Sequence, residues 1–148
     1  MKSLIRCFAV AALLVSSISA IADSGGTQKF GNYLVHYSAL STQFLNAGMA
    51  KQYSIERSAN RGLINISVQK VAADETAQAV AAVVSGEATN LTGQKTPVTI
   101  REIPDQYVSY IGLFNVTAPD TYTFTLKITP KDSKESFTLK FSKNFVAE

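Results

Sequence analysis

Residues 121–129 read Thr-Tyr-Thr-Phe-Thr-Leu-Lys-Ile-Thr, and residues 137–142 read Phe-Thr-Leu-Lys-Phe-Ser. In the first stretch Tyr122, Phe124, Leu126 and Ile128 take every second place, with threonine and lysine between them. In the second, Phe137, Leu139 and Phe141 alternate with Thr138, Lys140 and Ser142. Successive side chains of a strand point to opposite faces, so a strict period of two predicts strands with one apolar and one wetted face. Aromatic and β-branched residues suit such a half-buried, pleated surface. The polar run at 130–134, Pro-Lys-Asp-Ser-Lys, carries the turn between them. A lone hairpin buries too little to offset the ordering of its backbone. A second sheet must therefore cover this apolar face.

The same period recurs upstream. Residues 107–116 are apolar on both sides: Val108, Tyr110, Phe114 and Val116 share one, and Ile111 and Leu113 the other. That predicts a central strand, or one covered by a loop on its second side. Ala118-Pro119-Asp120 turns it into the next strand. Residues 97–103 form a shorter strand with Val98 and Ile100 inward, and Pro104-Asp105 turns it towards Tyr107. Residues 63–71 place Ile64, Ile66 and Val68 on the core side, and 30–39 alternate through Tyr33, Val35 and Tyr37. Residues 77–90 mix alanines, which favour helix, with Val80, Val83 and Val84, which favour strand; their place between strands makes strand the expectation. In the remaining stretch, 44–62, Asn46 can cap a short helix through Ala50 and Tyr53, and a charged loop follows at 56–62. About seven strands and one short helix predict an all-β fold, an immunoglobulin-like antiparallel β-sandwich.

The first residues belong to a different pattern. Lys2 and Arg6 make a basic start, an apolar run follows at 7–15, and Ala20 and Ala22 form an A-x-A site before Asp23. This predicts a signal peptide at 1–22, a single domain at 23–148 and export to the periplasm. The run falls short of the roughly 20 residues of a spanning helix, so no membrane span is expected after cleavage. Of 14 basic and 11 acidic residues, Lys2 and Arg6 leave with the leader, so 12 against 11 remain, a net of +1. No nucleic-acid footprint survives at that charge.

The chemistry available is narrow. The single cysteine, Cys7, lies in the leader, and His36 is the one histidine. Zinc needs several nitrogen or sulfur ligands, calcium an Asp-rich loop, and a serine hydrolase of the common kind a G-x-S-x-G turn; none is present. No metal, no cofactor and no enzymatic activity are expected. His36 lies between Val35 and Tyr37 and so faces away from their side, as a surface or edge residue. The leading expectation is a non-enzymatic module of the cell envelope, binding a protein or peptide by strand addition at an exposed edge. The alternative is a small anionic ligand held by Arg57 and Arg61, with Asn60, Tyr33 and Tyr53 nearby. Two guanidiniums on one loop can clamp a carboxylate or phosphate. Against it stands the pairing of those arginines with Glu56 and other neighbours.

Phe30-Gly31-Asn32-Tyr33, Val35-His36-Tyr37-Ser38, Phe44-Leu45 and Arg57-Ser58, with Asn60-Arg61-Gly62-Leu63-Ile64-Asn65-Ile66-Ser67-Val68, make a recognisable set. Val84-Ser85-Gly86, Asn90-Leu91, Gly93-Gln94 and Tyr110-Ile111-Gly112 extend it over essentially the whole of 23–148. The pattern resembles a domain-of-unknown-function family of small exported proteins of Gram-negative bacteria. The resemblance implies a periplasmic location and a single domain, and it carries over no catalytic residue.

Overall fold

The computed structural model describes residues 25–103 and 108–147. The leader expected at 1–22 and the turn expected at Pro104-Asp105 lie outside the described residues. Ten strands, one 3-10 turn and one short helix follow in order. They are β1 (Gly25–Phe30), β2 (Tyr33–Ser41), the turn (Thr42–Phe44), α1 (Ala47–Gln52), β3 (Arg61–Val71), β4 (Ala77–Ala79), β5 (Ala82–Thr89), β6 (Lys95–Pro97), β7 (Thr99–Ile103), β8 (Ser109–Asn115), β9 (Asp120–Pro130) and β10 (Phe137–Phe145). One sheet runs β1-β2-β3-β8-β7, with β4 pairing beside β3, and the other runs β10-β9-β5-β6. All pairings are antiparallel. The two sheets face each other as a sandwich, as the alternation predicts.

The expected seven strands become ten for three local reasons. The strand expected at 30–39 begins instead at Tyr33, after a hairpin that pairs Phe30 with Tyr33 across Gly31 and Asn32. Gly31 has φ +58°, the left-handed conformation that glycine adopts freely at the first place of a tight two-residue turn. The strand expected at 77–90 divides at Val80 and Ala81, where the chain passes from one sheet to the other. Three hydrogen bonds hold that crossing: Val80 N–H donates to Val68 O at 2.9 Å, Ala82 N–H to the Tyr110 hydroxyl at 2.7 Å, and Lys131 N–H to Ala81 O at 2.8 Å. Burial pushes the Tyr110 hydroxyl above the usual phenol range. The strand expected at 97–103 divides at Val98, where the chain crosses back. Val98 N–H still donates to Gly86 O at 3.2 Å in the sheet being left. Its side chain meanwhile lies on Gly112 of the sheet being joined, where an added Cβ would stand 2.5 Å from Val98 Cγ1.

Between the sheets lies the core. Val35, Ile64, Ile66 and Val68 of the first sheet and Phe124, Leu126, Ile128 and Leu139 of the second are wholly buried. Aromatic rings join the layers: Phe114 of β8 meets Phe124 of β9 edge-on at 5.0 Å, and Tyr37 of β2 lies 4.5 Å from Phe141 of β10. Such pairs add about 0.5–1.5 kcal/mol each beyond the area they bury.

Candidate functional site

The first sheet has a second apolar surface on its outer side. Leu63, Ile111 and Ile103 are buried there, with Leu40 and Leu113 packed against them. Strand register explains this: Leu40 pairs with Leu63 and Leu63 with Leu113, so one apolar patch runs across β2, β3 and β8. Farther along the same face the row turns polar. His36 pairs with Ser67 across β2 and β3. Its Nε2 lies 3.0 Å from Gln69 Oε1 and its Nδ1 2.8 Å from the Thr27 hydroxyl, stitching β1, β2 and β3 on a wetted surface. His36 thus sits on the outer face, as its place in the alternation predicts.

Among the described residues, only the apolar half of this face is covered. The covering segment, residues 42–58, is closed at its base by hydrogen bonds. Thr42 and Ser41 hydroxyls donate to Ser58 O at 3.2 and 3.3 Å, and Ser58 N–H returns a bond to the Thr42 hydroxyl at 3.0 Å. Within the loop, Asn46 caps α1 by accepting from Gly48 N–H at 2.8 Å, as expected from sequence. Ile55 and Tyr53 press down onto the sheet. A compact loop whose ends meet and whose own side chains pack beneath it often carries function.

The covering is incomplete. A cleft of about 190 Å³ remains between loop and sheet. Leu40, Leu63, Ile103 and Ile111 form its floor, and Leu45, Met49, Tyr53 and Ile55 its roof. Ser38, Asn65 and Ser109 supply polar groups, and among the described residues no ionisable acid or base other than the Tyr53 phenol lines it. Met49 is 50% exposed at its mouth. Beside the mouth stands Arg101 of β7, which pairs directly with Ile111 of the floor and lies two residues before Ile103. One guanidinium nitrogen of Arg101 donates to the Tyr53 carbonyl of the roof. Arg101 forms no ion pair among the described residues.

The two arginines expected to form an anion site each have another partner, and Tyr33 stands apart. Arg57 Nη2 donates to Gln43 O at 2.8 Å and Nε to the same oxygen at 3.3 Å, so this guanidinium fastens the two limbs of the covering loop. Arg61 pairs instead with Glu56 at 3.3 Å. Asn60 is exposed, and its N–H donates to the Ser58 hydroxyl at 3.1 Å. Tyr53 belongs to the roof of the cleft. Tyr33 is distant from all of them. It pairs with Lys70 at one end of β2, whereas Ser41 at the other end pairs with Gly62. Eight residues at about 3.4 Å each separate the two ends by roughly 27 Å.

Tyr33 has a different role. Its hydroxyl donates to Asp132 Oδ1 at 2.8 Å, and Lys70 Nζ donates to Asp132 Oδ2 at 2.7 Å. The group latches the first sheet to the β9–β10 turn. The lysine holds the Asp132 carboxyl below the usual carboxylate range, and Tyr33 helps. The bond to Asp132 raises Lys70 in turn.

Sequence reasoning missed Met49 and Arg101 as site residues. A signal for the floor was present: the strand with Ile111 and Leu113 opposite its core side required a second cover. Arg101 carried a weaker one, since alternation along β7 sets it on the same face as Ile103. Among the described residues no group of three or more His, Cys, Asp or Glu is placed to hold a metal ion, and no helix is long and apolar enough to cross a membrane.

No curated protein matches the chain significantly. Among solved structures, the chain is similar to a DUF4426 family protein from Pseudomonas aeruginosa PAO1. The two share 26% identity with a TM-score of 0.71, and the match covers 84% of this chain and 97% of that one. The family model for DUF4426, a domain of unknown function, matches residues 27–148, which take in both sheets, the covering loop and the cleft. With the family match spanning the whole sandwich, this chain belongs to the DUF4426 family.

Proposed function

We propose that this protein is a non-enzymatic binding module of the bacterial cell envelope, acting in the periplasm after its leader is removed. The cleft under the 42–58 loop is its site, and it takes one apolar side chain of a protein or peptide partner. The observation that carries this reading is the unfilled cleft itself: an apolar sheet face roofed by a loop that stops short of closing it, with Met49 half exposed at the mouth. Protein interiors leave few voids of this kind, and an exposed apolar recess marks an interaction site more often than a defect.

Size decides what fits. Pockets that enclose a whole drug-sized ligand run to about 300–1,000 Å³, whereas a cavity of about 150 Å³ holds a single benzene. At about 190 Å³, the cleft matches one large apolar side chain. β7 ends the sheet next to the cleft and pairs only with β8 among the described strands. Its free edge offers backbone groups to an extended partner, and strand addition supplies main-chain bonds while a neighbouring pocket reads a side chain.

Photocrosslinking tests this directly. A photoreactive amino acid replaces Met49 in one variant and Val83, 60% exposed on the other sheet, in a second. The expected result in cells is one discrete adduct from position 49, its crosslinked peptide mapping to a single segment of one partner, and none from position 83. Monomer alone from position 49, or the same adducts from both positions, overturns the proposal.

A further inference from the structure

Resting on the cleft as the binding site, we infer that its partner is read at a chain end: a C-terminal apolar residue enters the cleft and its main-chain carboxylate binds Arg101.

Three observations lead there. First, the cleft is apolar and sized for one side chain, with no charged group in its lining among the described residues. Second, Arg101 stands at the rim as an exposed cation outside any ion pair among the described residues. A guanidinium has five N–H donors in a planar fork matched to a carboxylate, and the bond to the Tyr53 carbonyl occupies one nitrogen only. Third, cation and apolar wall are close. The guanidinium bonds the main-chain carbonyl of Tyr53 in the roof, and Arg101 is the register partner of Ile111 in the floor.

That spacing selects the ligand. Carboxylate and apolar group must sit within a few ångströms of each other. An acidic side chain next to the anchor in an extended peptide points to the opposite face, and one two residues away is about 7 Å distant along the strand. A C-terminal residue carries both groups on the same Cα. The bond between Arg101 and the roof adds a positional consequence: the guanidinium that receives the carboxylate also holds Tyr53 over the anchor. Charge-assisted bonds of this kind are about twice as strong as neutral ones.

The test uses short synthetic peptides ending in leucine, read by fluorescence anisotropy against the whole mature protein. One form has a free C-terminal carboxylate, one is amidated, and one continues past leucine with Gly-Ser. The expected result is binding at least tenfold tighter for the free acid than for either other form. Arg101→Gln removes that preference, so that acid and amide bind the variant alike. Lys140→Gln, on the outer face of the other sheet, leaves it intact. Equal affinity of acid and amide for the wild type, with both lost in Met49→Glu, overturns the carboxylate inference while leaving the cleft as the site. If none of the three peptides binds, the reading of the cleft as a peptide site fails with it.

Discussion

The two faces of the first sheet are both apolar, yet they are closed differently. The inner face meets a complete second sheet, and its side chains, among them Ile64, Ile66 and Val68, are wholly buried. Among the described residues the outer face meets a single loop, and Ile103 and Ile111 keep 9% exposure beneath it. Strand β8 shows the contrast within one element: Tyr110 and Phe114 fill the core, while Ile111 and Leu113 support the cleft. Side chains that interdigitate between two sheets leave no room for a guest. A loop held by hydrogen bonds at its base covers an apolar surface without filling it. One face is built for stability, the other for an occupant.

Substitutions measure how far that division holds. The largest effect falls on the inner face. Phe124→Ala removes a ring packed against both Phe114 and Phe141, and it lowers unfolding free energy by about 3–5 kcal/mol in a denaturant titration. Ile111→Ala, beneath the loop, costs about 2 kcal/mol, the low end for such a truncation, because the space it opens joins a cleft that exists already. If the two losses prove equal, the outer face is ordinary core. Met49→Glu shifts stability by no more than about 0.5 kcal/mol, as surface changes do, but abolishes peptide binding at the cleft.

The smallest effect concerns the latch at the far end of the sandwich. Asp132 has its carboxyl held low in the folded state by Lys70. Its contribution is therefore present above the ordinary carboxylate range and fades as the pH falls through the folded value. Lys70, raised by the same bond, contributes below its ordinary value and loses that contribution as the pH rises above it. Asp132→Asn flattens the acid limb of the stability profile slightly, since exposed pairs are well screened. Its cleft binding stays that of the wild type; altered binding would mean that the two ends of the sheet communicate.

The sandwich was legible in the sequence because a period of two survives in every long strand, from Val35-Tyr37 to Leu139-Phe141. Its finer division was not. Val80-Ala81 and Val98 look like strand interiors, since a chain that crosses between sheets stays extended and apolar; only tertiary partners such as the Tyr110 hydroxyl mark the crossing. Gly31-Asn32 did carry a hairpin signal, overridden by the alternation running through it. The helix cap at Asn46 was readable because capping is local. The site was half legible. Residues 44–62 stood out as the one irregular stretch, and the doubly apolar strand at 107–116 called for a cover. Composition drew the eye to Arg57 and Arg61, where charges cluster in sequence. Arg57 turns out to fasten the loop, while the arginine beside the cleft, Arg101, comes from a strand that sequence distance separates from it.

The division between the two faces is tested most directly by methyl-resolved NMR titration with N-acetyl-leucine. The account predicts shifts confined to the methyls lining the cleft, Met49, Leu63, Ile103 and Ile111 among them, with Ile64, Ile66, Leu126 and Ile128 unmoved. Equal shifts on both sets, or none on the first, would contradict it.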